Sequence, residues 1–389
     1  MLTTLSVSNY RSLQDLVMPL SSLSVITGDN GSGKSNLYRA LRLLSDAANG
    51  DMVPALAQQG GLPSTLWAGP EKISRTMERG DVSIQGGPRS KSVRLKLGFA
   101  SDEYGYLIEL GLPEPLPYPS AFQLDPVIKR ESIWQGPRWR LASALVERKG
   151  PLLKRRNNRS WEVVNSHMRD FDSLFSFAGD PTSVPEVFAV KTAIQNWRFY
   201  SDFRTDEDAP ARQSKPATRT PVLSHDGSDL AAALQTIIEV GDHDALNDAI
   251  DDAFPGSILQ IDAPKSAHLE VSLQQPGLLR SLQASEWSDG MLRYVLLVAA
   301  LLSPRPPDLL VLNEPETSLH PDLLGPLGRL IRRASDQTQV WVISHAPRLV
   351  AQLEEHIECS TLNLAKSLGR TQIAGLRDLD RPAWQWPPS

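Results

Sequence analysis

The chain has 389 residues, room for two to three structural units at roughly 150 residues each, or for one large domain with an insertion. Its 40 Lys plus Arg against 45 Asp plus Glu leave a net charge of −5, which excludes a surface that is basic throughout; any polyanion would have to meet a local patch. The one cysteine, Cys359, excludes a disulfide framework and any zinc site with more than one thiolate, and it fits a reducing cytoplasm.

In chain order, residues 2–8 and 23–27 read as short strands. The second runs into a glycine-rich turn, after which Leu37, Ala40, Leu41 and Leu44 fall at i, i+3, i+4 and i+7, the spacing of a helix with one apolar face. From about residue 82 to 164 the spacing predicts a run of short strands broken by Gly and Pro, among them 93–99 and 104–110. Residues 204–221 lack apolar periodicity and predict a mobile loop, and helical spacing resumes over 230–240 and 245–254. Ser288, Asp289 and Gly290 open an apolar helix that runs through Leu302 until Pro304, Pro306 and Pro307 break it. A strand over 309–312, a helix from Pro321 and a strand over 340–343 ending in Ser344 and His345 follow, then an alternating stretch, 361–376, that reads as a hairpin. Strands alternating with helices predict an α/β fold with a parallel sheet. The longest apolar run, nine residues from Tyr294, is far short of the ~20 needed to cross a bilayer, and the first residues do not read as a secretory leader, so a cytoplasmic protein with no membrane association is expected.

Gly28, Asp29, Asn30, Gly31, Ser32, Gly33, Lys34 and Ser35 match G-x-x-x-x-G-K-[ST] between a strand and a helix. Small residues let consecutive amides curl around a phosphate at the positive end of the helix, Lys34 neutralises β- and γ-phosphate charge, and the Ser35 hydroxyl ligates Mg²⁺. The strand over 309–312 ends in Asn313 and Glu314, at the edge where open α/β sheets bind ligands, and Glu314 is the expected general base for an attacking water.

Taken together, NYRSL, GDNGSGKSN, SEWSDGMLRY, LLVLNEPETSLHP and VWVISHAP resemble the RecF-like and OLD-like branch of the ABC/SMC ATPase superfamily, catalogued as AAA_21-type ATPases. The resemblance implies an ABC/SMC-type P-loop NTPase head split in sequence: residues 1–85 and 226–389 form the head, and 86–225 an inserted β-rich and helical lid. It implies that the Walker A segment through Asn36, together with Arg11, binds ATP. Ser288, Asp289 and Gly290 become the signature that reaches the γ-phosphate held by a second copy, so ATP closes a homodimer. Ser318, Leu319, His320 and Pro321 become the D-loop, and His345 a switch histidine that touches the γ-phosphate. Asn313 stands where this superfamily usually places the Walker B Asp; without that charge, Mg²⁺ is held less firmly and slow hydrolysis is expected. Gln58 and Gln59 are the weak candidates for a glutamine linking nucleotide state to the insertion.

SMC proteins fill the gap between these halves with coiled coil, but scattered Pro and Gly and the lack of a sustained heptad exclude such arms here. Residues 129–159 hold ten basic side chains against Glu131 and Glu147, with Trp134, Trp139 and Trp161 interleaved or adjacent. Lys154, Arg155, Arg156 and Arg159 are therefore expected to meet a nucleic-acid backbone while the indoles stack on bases, the other reading being a solvated strand surface. OLD proteins append a nuclease domain, and because 44 residues follow His345, fewer than the ~50 such a domain needs, no intrinsic nuclease is expected. The expected function is an ATPase acting on DNA in repair or phage defence. The alternative is a regulatory ATPase that holds and releases a separate effector protein, a nuclease or toxin, with little nucleic-acid affinity.

Overall fold

Alternating apolar positions in the first half of the chain pair into one large antiparallel sheet. In the computed structural model, which describes residues 1–71, 73–79, 81–83, 93–114, 120–177, 182–262 and 268–387, this sheet belongs to the first of two compact units. That unit comprises Met1–Leu20, Gly28–Asn196 and Leu362–Ser389. Its eight strands run in the order Leu13–Pro19, Leu2–Tyr10, Leu95–Ser101, Tyr104–Gly111, Val127–Gln135, Ala144–Lys149, Leu152–Asn157 and Ser160–Asn165, every neighbour antiparallel. The β-rich segment expected from about residue 82 is present where it is described; residues 84–92 and 115–119 lie outside the described residues. The helix Lys34–Asn49 buries Leu37, Ala40, Leu41 and Leu44, the face expected from their spacing, and ends at Gly50 in the left-handed conformation that favours glycine. The expected terminal hairpin is formed by Cys359–Ser367 and Arg370–Ile373, paired antiparallel from Leu364 and Ile373 inward.

The second unit comprises Ser21–Thr27 and Trp197–Thr361. Four parallel strands lie in the order Arg198–Tyr200, Leu309–Asn313, Gln339–Ile343 and Leu23–Gly28. Gln339–Ile343 is buried at every position, the signature of a strand covered on both faces. The helix Asp289–Leu301 is likewise buried without interruption from Leu292 to Leu301, so it packs through this unit's core and not across its surface. The prolines after it end the helix as expected.

One segment departs from expectation. Residues 204–221 carry a 3₁₀ turn, Pro210–Arg212, and a short strand, Lys215–Pro216, paired with His268 and Leu269. A single side chain explains the order: the Arg212 guanidinium donates to the carbonyls of Thr205, Asp206, Ala284 and Trp287 and to Asp289. Those to Ala284, Trp287 and Asp289 reach across 72, 75 and 77 residues and leave no trace in apolar periodicity.

Candidate functional site

The strand Leu23–Gly28 carries the chain from the parallel sheet into the glycine-rich turn. Gly28, Gly31 and Gly33 all take positive φ, a region that disfavours any side chain, and a Cβ at Gly28 would lie 2.3 Å from the Leu364 carbonyl oxygen. Lys34 is buried, and its ammonium donates to the Gly28 and Asp29 carbonyls. The Ser32 hydroxyl is buried with no hydrogen-bond partner, and Ser35 stands exposed at the start of the helix. A turn of glycines at positive φ, a cation, an unused buried hydroxyl and a helix N-terminus fit a bound phosphate chain. Asn36 turns back within the unit and donates to Ser12 Oγ at 2.8 Å. Arg11, at φ 48°, lies over the Tyr10 ring and reaches Gln59 Oε1 at 3.4 Å, an oxygen that also accepts from Tyr10. Arg11 and Gln59 are therefore neighbours, which their spacing in sequence did not suggest.

In the second unit, the carboxyl ends of three parallel strands line one edge. The Glu314 amide donates to the Ile343 carbonyl at 2.8 Å and the Ser344 amide to the Ile26 carbonyl at 3.1 Å, which sets Asn313, His345 and the end of Leu23–Gly28 along that edge. Glu314 adopts φ 50°, a conformation few side-chain-bearing residues accept, and its carboxylate is 43% exposed. Oε1 of Glu314 lies 3.9 Å from His345 Nδ1, so the structure brings the expected base and the expected switch histidine together.

Behind them sits Glu316, 7% exposed, which sequence reasoning did not single out. Its Oε1 accepts from Ser344 Oγ at 2.8 Å and from the His345 amide at 3.0 Å and lies 3.5 Å from His345 Nδ1, while Oε2 is buried without a partner. One buried carboxylate thus fixes the backbone from which His345 projects. The only clue in sequence is a second acid two residues past the first, across a proline.

Arg293 is buried and donates to the Glu314 carbonyl at 3.1 Å and the Pro315 carbonyl at 3.5 Å. Burial lowers its pKa from the ordinary arginine value, against the pull of Asp202, Glu316 and Glu314. It braces the left-handed turn that presents Glu314. Ser288 caps the helix Asp289–Leu301 through the Met291 amide, and Asp289 pairs with Arg212 at 3.1 Å. A Cβ on Gly290 would lie 2.8 Å from the Ser318 carbonyl oxygen, so only glycine lets the 288–290 turn close on the 318–321 turn.

The basic stretch is less uniform than its composition suggests. Arg148 is buried in an ion pair with Glu131, and Arg130 pairs with Glu147. On the strand Leu152–Asn157, Lys154 and Arg156 share one face and Arg155 takes the other. Arg155 donates to the Ser183 carbonyl at 2.5 Å, and Arg156 donates to the carbonyls of Asn158 and Leu141. Arg159 is exposed. Two of the three expected indole platforms are corrected: Trp134 and Trp139 are buried, and Trp134 packs edge-on against Trp384 at 5.7 Å, so neither can stack on a base, whereas Trp161 is half-buried.

The AAA_21 family, described as "AAA domain, putative AbiEii toxin, Type IV TA system", matches residues 23–351. The chain belongs to the AAA_21 family. An OLD nuclease of Thermus scotoductus (strain ATCC 700910 / SA-01) is 43% identical over 56 residues, which is 14% of this chain and only 10% of that protein. The crystal structure of an SMC head bound to the C-winged helix domain of ScpA superposes with a TM-score of 0.51 at 13% identity, covering 96% of this chain and 97% of the other. The AAA_21 chain therefore has the ABC/SMC P-loop NTPase fold expected from its motifs. No helix among its described residues is long and apolar enough to cross a membrane.

Proposed function

We propose that this AAA_21 protein hydrolyses ATP, slowly and with Mg²⁺, and that ATP joins two copies head to head. The observation that carries this reading is Glu314 beside His345, their side chains 3.9 Å apart at the carboxyl ends of two parallel strands. In this reading the amides of residues 28–35 and Lys34 hold the phosphates. Ser35 and Asn313 would hold Mg²⁺, which when bound offsets phosphate charge, and the uncharged Asn313 amide makes turnover slow. Glu314 takes the proton of the attacking water, and His345, set by Glu316, orients it. Ser288 and Asp289 are exposed at the start of their helix, available to a second copy.

Glu314→Gln should keep nucleotide binding, slow turnover about a hundredfold or more and accumulate an ATP-bound dimer in sedimentation experiments, as loss of a general base predicts. Lys34→Ala should bind no nucleotide. A Glu314→Gln protein that stays monomeric with ATP bound would remove dimerisation from the reading.

The output is read as action on DNA, in repair or phage defence, through Lys154, Arg155, Arg156 and Arg159. The measurement is duplex affinity at two salt concentrations in the wild type and in Lys154→Ala/Arg155→Ala/Arg156→Ala; the variant should bind more weakly with a shallower salt slope. Equal affinity and slope would favour the second reading, an ATPase that grips an effector protein. The burial of Trp134 and Trp139 favours that second reading, because it removes two of the three expected stacking surfaces and leaves only the half-buried Trp161.

A further inference from the structure

We infer that Thr371, on the terminal hairpin, is a positioning residue for nucleotide binding, because it sets the orientation of the Ser32–Gly33 peptide in the phosphate-binding turn. The inference rests on the nucleotide reading above. Four groups form a file that runs inward from the half-buried Asn36. Asn36 Nδ2 donates to Ser12 Oγ at 2.8 Å, Ser12 Oγ and Thr371 Oγ1 lie 2.7 Å apart, and Thr371 Oγ1 donates to the Ser32 carbonyl at 2.7 Å.

Proton counting gives the file one direction. A threonine hydroxyl has a single hydrogen, and here it is committed to Ser32; the bond between the two hydroxyls must then be donated by Ser12, whose lone pair accepts from Asn36. The Thr371 amide also donates to the Ser12 carbonyl at 2.8 Å, which fixes the two backbones in register. Ser12, Ser32 and Thr371 are all buried, so water does not substitute for a lost partner.

The consequence for the turn follows from peptide geometry. In a trans peptide the C=O and the N–H point in opposite directions. Drawing the Ser32 carbonyl back onto Thr371 therefore turns the Gly33 N–H the other way, into the concave side of the turn, where it serves as a donor to phosphate. Gly33 also lets the hydroxyl approach: a Cβ there would lie 2.1 Å from Thr371 Oγ1. The hairpin backs the turn at its other end too, through the Leu364 carbonyl behind Gly28.

The test uses the full chain with Mg·ADP and Mg·ATP. Thr371→Val keeps the shape and removes the donor, and it should weaken both nucleotides about five- to tenfold, the effect of one neutral hydrogen bond, raising KM while kcat changes less than twofold. Thr371→Ser should restore wild-type affinity. Ser12→Ala removes the second link but leaves the bond to Ser32, so its effect should be smaller than that of Thr371→Val. If Thr371→Val does not fold, the order wild type, Thr371→Ser, Ser12→Ala still carries the test. Nucleotide affinity unchanged in Thr371→Val, or unchanged in Ser12→Ala where only that variant folds, would overturn the inference, as would a loss in Thr371→Val that Thr371→Ser does not restore. A wild-type chain that binds neither nucleotide would instead sink the nucleotide reading itself.

Discussion

In the antiparallel sheet, Glu131 and Arg148 are both 0% exposed, and every polar atom they bring inside is used. The carboxylate accepts from Tyr106, Ser173, the Leu174 amide and Arg148, and the guanidinium also donates to the carbonyls of Gly150, Arg169 and Asp172. At the carboxyl edge of the parallel sheet, Glu316 and Arg293 are buried too, yet Glu316 keeps one oxygen without a partner and Arg293 faces carbonyls where a carboxylate would complete it. The first arrangement is closed on itself and serves folding. The second leaves electrostatic capacity unspent beside an exposed acid and an imidazole, which is how a site that meets a charged substrate differs from a structural network.

Arg148→Ala should separate the two most sharply. Stranding the Glu131 carboxylate should cost about 3–5 kcal/mol in denaturant unfolding, with no specific effect on nucleotide turnover per folded molecule. A cost below about 1 kcal/mol would mean that the closed network is dispensable and the contrast wrong. Glu316→Ala should show the reverse pattern, lowering kcat about tenfold by freeing His345 while unfolding shifts by only about 1 kcal/mol. The smallest effect is expected at Asp46, on the helix after the phosphate-binding turn. Burial raises its pKa to about 6, against the opposing pull of Arg42 and with the help of Asp51. Because the folded chain holds this proton more tightly than the unfolded one, stability from this group is fully present below about pH 4 and is lost as pH rises through about 6. Asp46→Asn should accordingly raise the melting temperature by a few degrees at pH 7.5, and the gain should shrink towards pH 4; a constant gain across that range would show that burial of charge is not the cause.

Much of this is legible in the sequence. The phosphate-binding turn is contiguous, so its residues and the strand and helix beside it announce themselves together. Glu314 and His345 could each be placed at a strand end by apolar runs that stop abruptly. What stayed hidden depends on contacts across long sequence separations. Thr371 meets Ser32 across 339 residues, and nothing around position 371 marks it. The strand Arg198–Tyr200 is too short for periodicity to register. Trp134 and Trp139 looked like an aromatic surface because composition does not record which face of a strand turns inward, as at Trp134, or which loop residue folds back onto the sheet, as at Trp139. Arg212 ordered a segment that its own neighbours in sequence gave no reason to expect ordered.

The left-handed backbone at Glu314 has an evolutionary corollary. Glycine or asparagine would relax that φ and favour the folded state. Selection for thermal robustness alone would therefore pull position 314 away from glutamate, so the acid found there records a demand other than folding, and ancestral or consensus redesign of this chain should hold position 314 constant while neighbouring positions are allowed to drift.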